Sequence, residues 1–277
     1  MNRFTGEGGK MATWLHKVTS LIRSFSAVSY AYPALDVVLP AGRQLHLVGS
    51  IHMGTRDMMP LPAQLLQTLD AADALIVEAD ITRGASPFRD GGSWPSLTQR
   101  LTPDSLPVLQ RLCDELSISS ERVDTLPGWQ VALMLQAQQA QRLGLRPDYG
   151  IDYQLLQAAK ERGMTIIELE GPDEQLALLK ALPDNGMALL EDTLLHWHTN
   201  ARLLQTMVSW WLETPPRQRQ MALPTTFSSE LNDVLMNQRN QHWSETLSQL
   251  AAGRYVVAVG ALHLYGEGNL PDLLQSR

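Results

Sequence analysis

The sequence predicts an α/β fold, a mixed, mainly parallel central sheet with a large helical insertion. Three observations carry this expectation. Short runs rich in Val, Ile and Leu, at residues 45–50, 74–79, 165–170 and 255–260, each end at or run directly into glycine or a polar residue, as buried parallel strands do on leaving a sheet. Longer stretches of helical periodicity separate them. One phrase is also written twice, Leu47-Val48-Gly49-Ser50-Ile51-His52-Met53 and Ala258-Val259-Gly260-Ala261-Leu262-His263-Leu264, setting a histidine just past a strand end in each copy.

Residues 1–10 are polar and glycine-rich, so disorder is expected there. His16, Lys17 and Arg23 break what would otherwise be a signal-peptide core; 14–31 reads better as an amphipathic helix with Trp14, Val18, Leu21, Ile22 and Phe25 on one side. Residues 1–34 thus form an N-terminal tail, and 35–277 the main domain, with a helical subdomain at about 96–148 and 184–250. Strands at 37–39 and 45–50 are expected to form a hairpin through Pro40-Ala41-Gly42-Arg43. A helix over 61–72 and the strand at 74–79 complete a βαβ unit with parallel strands. Residues 81–95, rich in Gly, Ser, Pro and Asp, read as a long exposed loop. Helices fill 96–143, punctuated at Pro103, Pro107 and Pro127-Gly128. A helix over 149–163 opens on Gly150-Ile151-Asp152, where Asp148 or Asp152 can meet free backbone donors, and leads to the strand at 165–170.

The longest element predicted is one helix over 185–213, capped by Asp184 and stopped by Pro215-Pro216. Met187, Leu190, Leu194, Trp197, Ala201, Leu204, Val208 and Trp211 recur at steps of three and four along it, a coiled-coil-like seam. Leu189, His196, Leu203, Met207 and Trp210 widen that face. Packing on the protein's own core is expected, the alternative being a homodimer contact or a lid over an apolar substrate. A last helix over 229–250 carries Arg239-Asn240 into the strand at 255–260.

Composition removes several classes of function. The net charge is −7 and no run of Lys or Arg tracks a surface, so nucleic acid is not an expected partner. Cys113 is the only cysteine, which excludes an internal disulfide and a cysteine zinc cluster; its helical spacing with Leu109, Leu112 and Leu116 suits a buried structural thiol. No run approaches about 18 apolar residues, so no transmembrane segment is expected, and the compartment reads as cytoplasmic, with periplasmic the alternative. Gly-x-Ser-x-Gly, Walker and His-Glu-x-x-His motifs are absent, which weakens serine-hydrolase, nucleotide and zincin readings.

His52, His263 and Glu78 remain. Ligands collect outside the carboxyl ends of strands in such sheets, and Glu78 closes a buried strand, where a carboxylate needs a partner. Two imidazoles and one carboxylate leave open positions on Zn, Mn, Co or Fe(II), and a metal can lower the pKa of bound water from 15.7 to about 7. Glu78 could instead serve as general base. Arg239 could orient a substrate or stabilise developing negative charge, and Asn240 and Asp152 are candidates for substrate binding. Asp80 and Glu170 are secondary carboxylates that read equally as ion-pair or strand-end residues. His196-Trp197-His198 sits on divergent helix faces and suits no shared site.

The phrases His46-Leu47-Val48-Gly49-Ser50-Ile51-His52-Met53-Gly54, Leu75-Ile76-Val77-Glu78-Ala79-Asp80, Gly150-Ile151-Asp152, Leu169-Glu170-Gly171, Arg239-Asn240 and Val257 to Leu264, in this order, resemble the TraB/GumN family over about residues 35–275. That family is related to the Tiki proteins, metal-dependent proteases with two Gly-x-x-His motifs and a key Glu, and more distantly to erythromycin esterases and haem-binding ChaN-like proteins. The resemblance implies a sheet of two pseudo-repeated halves meeting at the site, with His52, Glu78 and His263 on a divalent metal ion (Mn, Co or Zn), Glu78 and Arg239 catalytic, and a peptide or small-molecule substrate. The chain departs from the Tiki pattern in showing no membrane tether, and its Pro-Trp pair is split as Pro127-Gly128-Trp129. A metal-dependent hydrolase of peptide bonds is the leading expectation. The alternatives are a metal-independent, esterase-like hydrolase using His52 and Glu78, and a non-catalytic ligand-binding or regulatory protein.

Overall fold

The computed structural model describes residues 28–83 and 93–276. The N-terminal helix expected before Ala31 and most of the expected loop after Ile81 lie outside the described residues. Five strands, β1 (Ala34–Leu39), β2 (Arg43–Ser50), β3 (Ala74–Val77), β4 (Thr165–Glu168) and β5 (Gly253–Gly260), form one sheet in the order β1-β2-β5-β3-β4. β1 and β2 make the expected antiparallel hairpin, and every other pairing is parallel.

β2 and β3 run parallel, as expected of the βαβ unit, and β5 lies between them. Its run Val256-Val257-Ala258-Val259 has no accessible surface and takes the centre, where both edges are paired and both faces covered. The two copies of the repeated phrase therefore lie side by side, with Ser50 opposite Gly260.

The α-helices of six residues or more among the described residues are α1 (Ala63–Asp70), α2 (Ser105–Leu116), α3 (Gly128–Arg142), α4 (Ile151–Glu161), α5 (Pro172–Lys180), α6 (Met187–Leu195), α7 (Trp197–Leu212), α8 (Gln238–Ser248) and α9 (Leu270–Gln275). They serve two apolar cores. One surrounds the sheet and includes Leu47, Leu75, Val257, Leu155 and Trp243. The other is helical and holds Leu112, Cys113, Leu135, Leu190 and Leu194, so the lone thiol is buried as expected.

These two cores explain why the predicted helix over 185–213 is not continuous. It breaks at His196 (φ −101°, ψ 21°), so that Met187, Leu190, Leu194 and Trp197 enter the helical core while Leu203, Met207, Trp210 and Trp211 enter the sheet core. A straight stripe could not face both. Asp184 is not the cap: it adopts φ 48°, and Gly186, at φ 75°, precedes the first turn. The apolar stripe is thus absorbed by the chain's own interior. A π-helical turn at Asp233–Asn237, for which the sequence carries no signal, leads into α8.

Among the described residues no helix is long and apolar enough to cross a membrane. A cleft of about 430 Å³ lies over α1 and the amino-terminal halves of β2 and β5, lined by Asp36, His46, Gln64, Thr68 and Tyr255. It sits away from the strand ends that carry the repeated histidines.

Candidate functional site

The parallel register places the carboxyl ends of β2, β5 and β3 next to one another, and these deliver His52, His263 and Glu78 from three adjacent strands. β4 extends the series. Leu169 N donates to Val77 O, and Glu170 N and Gly171 N donate to Glu78 O, so Glu170 runs beside Glu78.

Two backbones touching at glycine set the His52 side. Ile151 N donates to Ile51 O, and Gly54 exchanges hydrogen bonds with Arg146. A Cβ on Gly54 would lie 2.3 Å from Tyr149 O, and one on Gly150 2.2 Å from His52 O, so neither position admits a side chain without moving backbone. This contact seats Asp152, in the first turn of α4, against His52: Oδ2 lies 2.7 Å from Nδ1 as an ion pair, off the ring N–H axis. Ser50 Oγ donates to Asp152 Oδ1 at 2.5 Å. The His52 side chain is 64% exposed, whereas Asp152 is buried. The Asp152 carboxylate raises the imidazole to about 9, with Glu78 adding to the effect and Arg239 opposing it.

On the other side Arg239 is the hub. Nε donates to Glu170 Oε1 at 2.7 Å, and Nη2 donates to Glu170 Oε2 at 2.9 Å and Glu78 Oε2 at 2.6 Å. Nη1 faces Leu235 O at 3.3 Å and His263 Nε2 at 3.5 Å. A guanidinium has five N–H donors, and here all five point at protein acceptors. Its Cζ also lies 4.6 Å from the centroid of the Trp243 ring, whose Nε1 donates to Glu170 Oε1 at 3.1 Å. Arg239 is therefore placed to hold the buried Glu78 and the partly buried Glu170, with no donor left for an anionic substrate.

Glu78 is engaged through both oxygens. Oε1 accepts from Gly260 N at 2.7 Å, and Oε2 takes Arg239. Burial raises its pKa, but His263, Arg239, His52 and the Gly260 amide outweigh that and hold the carboxyl near 2. His263 is 4% exposed, with its ring centroid 4.5 Å from that of Trp243. Burial pushes its pKa down to about 4 despite the Glu78 carboxylate, with Arg239 and His52 also lowering it. Its Nδ1 lies 2.6 Å from Asn240 Oδ1.

The donor set can be tested against a divalent ion. Each imidazole is anchored through Nδ1 and leaves Nε2 without a carboxylate or carbonyl partner, as in metal-ligating histidines. Glu78 does not fit as their third ligand, since its oxygens already meet an amide and a guanidinium. Among the described residues, no three His, Cys, Asp or Glu side chains stand together in an arrangement that could hold a metal ion. As placed, the residues do not fit the expected metal centre.

The sequence-derived candidates thus fall in one region with altered partners. Asp152 pairs with His52, Asn240 with His263, and Arg239 with Glu78 and Glu170. Asp80 stands apart, buried among Thr82, Arg83 and Lys160. Ser50 and Trp243 were not anticipated, though both had a signal: Ser50 is two residues from His52 in the repeated phrase, and Trp243 is at i+4 from Arg239, a spacing that stacks side chains on a helix.

With this geometry in view, comparison with known proteins is decisive about ancestry. The model of the TraB/PrgY/gumN family matches residues 36–277. The chain belongs to the TraB/PrgY/gumN family. It is also 54% identical over 261 residues to the YbaP protein of Escherichia coli (strain K12), covering 94% of this chain and 99% of that one. YbaP of Shigella flexneri matches with the same identity and coverage. No solved structure matches the chain. The span matched by the family model begins inside β1 and contains the other four strands and every residue of the site.

Proposed function

We propose that this TraB/PrgY/gumN protein is a hydrolase of neutral acyl bonds, amide or ester, in peptide or small-molecule substrates, acting through a pair of histidines in opposite charge states. One observation carries the reading: the same ring nitrogen, Nδ1, rests on a carboxylate in His52 and on a neutral carboxamide in His263. A carboxylate partner favours imidazolium; an amide oxygen in a buried setting favours the neutral ring. Environments that push two titratable groups apart assign the acid and the base. His52, exposed and protonated at neutral pH, donates to the leaving group, and neutral His263 accepts a proton from water. The engagement of all five Arg239 donors favours a neutral substrate over a phosphate or carboxylate.

The test is a panel of chromogenic esters and peptides assayed with the wild type, His52→Gln and His263→Gln. Each variant is expected to lose on the order of 10²-fold or more in kcat, and the wild type to be active between limbs near pH 4 and pH 9, where His263 gains and His52 loses its proton. Wild-type activity should survive exhaustive chelation. A second reading, the Tiki-like metalloprotease, is favoured by the Nδ1 anchoring of both rings. Activity abolished by chelation and restored by Mn, Co or Zn would establish it in place of the first.

A further inference from the structure

Asn240 follows Arg239 on α8 and is 2% exposed. Its amide nitrogen donates to Gly268 O at 3.0 Å. A carbonyl only accepts, so the Nδ2 end of the amide must face Gly268, and this fixes the flip of the group. Oδ1 is then the atom turned to His263, 2.6 Å from Nδ1. An amide oxygen can only accept as well. The proton must sit on Nδ1, which leaves the lone pair on Nε2.

The anchor is itself held. Gly268 adopts φ 69°, and Asn269 Nδ2 donates to Gly266 O at 2.8 Å while its Oδ1 caps α9 by accepting from Asp272 N at 3.0 Å. The loop between β5 and α9 therefore presents a carbonyl of fixed direction to α8. Beyond Nε2 the nearest donor is Arg239 Nη1 at 3.5 Å, at the outer limit of a hydrogen bond.

We propose that Asn240, backed by the Gly268 carbonyl, is a positioning residue that selects the Nδ1–H tautomer of His263 and so creates the proton acceptor of the site at Nε2. This deepens the acid–base reading and rests on it for what Nε2 does, but not for which tautomer is present. A solvated neutral imidazole favours the opposite tautomer, protonated at Nε2, so the choice made here is imposed by the protein. Both ends of the Asn240 amide are thus taken by protein, the nitrogen by Gly268 and the oxygen by His263.

Nitrogen-15 NMR of the full chain with labelled histidine, at neutral pH, reads the tautomer directly, with the His263 signals assigned by their loss in His263→Gln. The wild type is expected to show a protonated Nδ1 and a bare Nε2. In Asn240→Ala the ring should move to a mixture or a majority of Nε2–H, with kcat falling at least 10-fold and KM little changed. An Nε2–H ring in the wild type overturns the inference, whether or not the variant folds, and so does an unchanged tautomer in a folded Asn240→Ala. A wild type with Nδ1–H but no hydrolytic activity on any substrate upholds the tautomer assignment and removes the acid–base reading instead.

Discussion

His52 and His263 follow the same phrase, on adjacent parallel strands whose copies are displaced by one residue in the ladder, yet one stands in solvent beside a carboxylate and the other is enclosed by Trp243, Asn240 and Arg239. The phrase dictates only that each strand ends and turns. What surrounds each ring comes from elsewhere in the chain: α4 brings Asp152 to the first, and α8 brings Asn240, Arg239 and Trp243 to the second. The lesson is a division of labour. The enclosed half is built into the packing of the fold, and the open half faces solvent.

The largest effect should come from removing the hub of the enclosed half. Arg239→Leu leaves the buried Glu78, and the partly buried Glu170 beside it, without their cation, and breaking a buried pair in this way costs about 3–5 kcal/mol. Urea midpoints should show that loss, whereas His52→Ala, which takes an exposed ring from the single buried carboxylate of Asp152 and leaves that carboxylate the Ser50 hydroxyl, should cost less. Comparable losses in both variants would end the contrast between the halves.

An intermediate effect is expected at the backbone contact that serves the open half. Gly150→Ala drives a Cβ to within 2.2 Å of His52 O and must part the two loops. Asp152 then withdraws, and the His52 pKa, read by NMR titration, should fall from about 9 back toward 6.5. Gly260→Ala is the control, because its Cβ would make ordinary contacts, 3.4 Å from Glu78 Oε1 and 3.5 Å from His263 Cδ2. A His52 pKa unmoved by Gly150→Ala would detach Asp152 from its role.

The smallest effect is in the pH dependence of stability, and its two limbs belong to the two halves. His52 is raised in the folded protein, so its contribution is full below pH 6.5 and is lost as pH rises through about 9; solvent screening keeps this limb shallow. His263 is lowered from 6.5 to about 4 and Glu78 from 4.5 to about 2, so the unfolded chain binds these protons first and stability falls as pH drops through those windows. Denaturation midpoints should therefore peak near pH 6.5, with His52→Ala flattening only the alkaline side.

Much of this was legible in the residues. The hairpin, the four buried runs and the placement of His52, Glu78 and His263 at strand ends follow from local pattern, because apolar period and glycine stops are local signals. Strand order was not, since nothing in residues 45–79 says that β5 will come between β2 and β3. The break at His196 escaped for a related reason: a regular apolar stripe reads as one helix unless two cores compete for it. Roles at the site were least legible. Arg239 looks like an anion receptor until Glu170 and Glu78 are seen to occupy it, and Asn240 looks like a substrate ligand until Gly268 is seen to fix its amide.

The position of β5 has a consequence for how the chain reaches its native state. The strand that pairs with both β2 and β3 is the last of the five to leave the ribosome, so until residue 260 has emerged the sheet can exist only as two separate two-stranded pieces. Contacts between partners some two hundred residues apart are slow to form, and during that interval the apolar edges of β2 and β3 stand open to mispairing. Synthesis and folding of this protein are thereby coupled through β5 itself, and a truncation before residue 253 would release two sticky half-sheets.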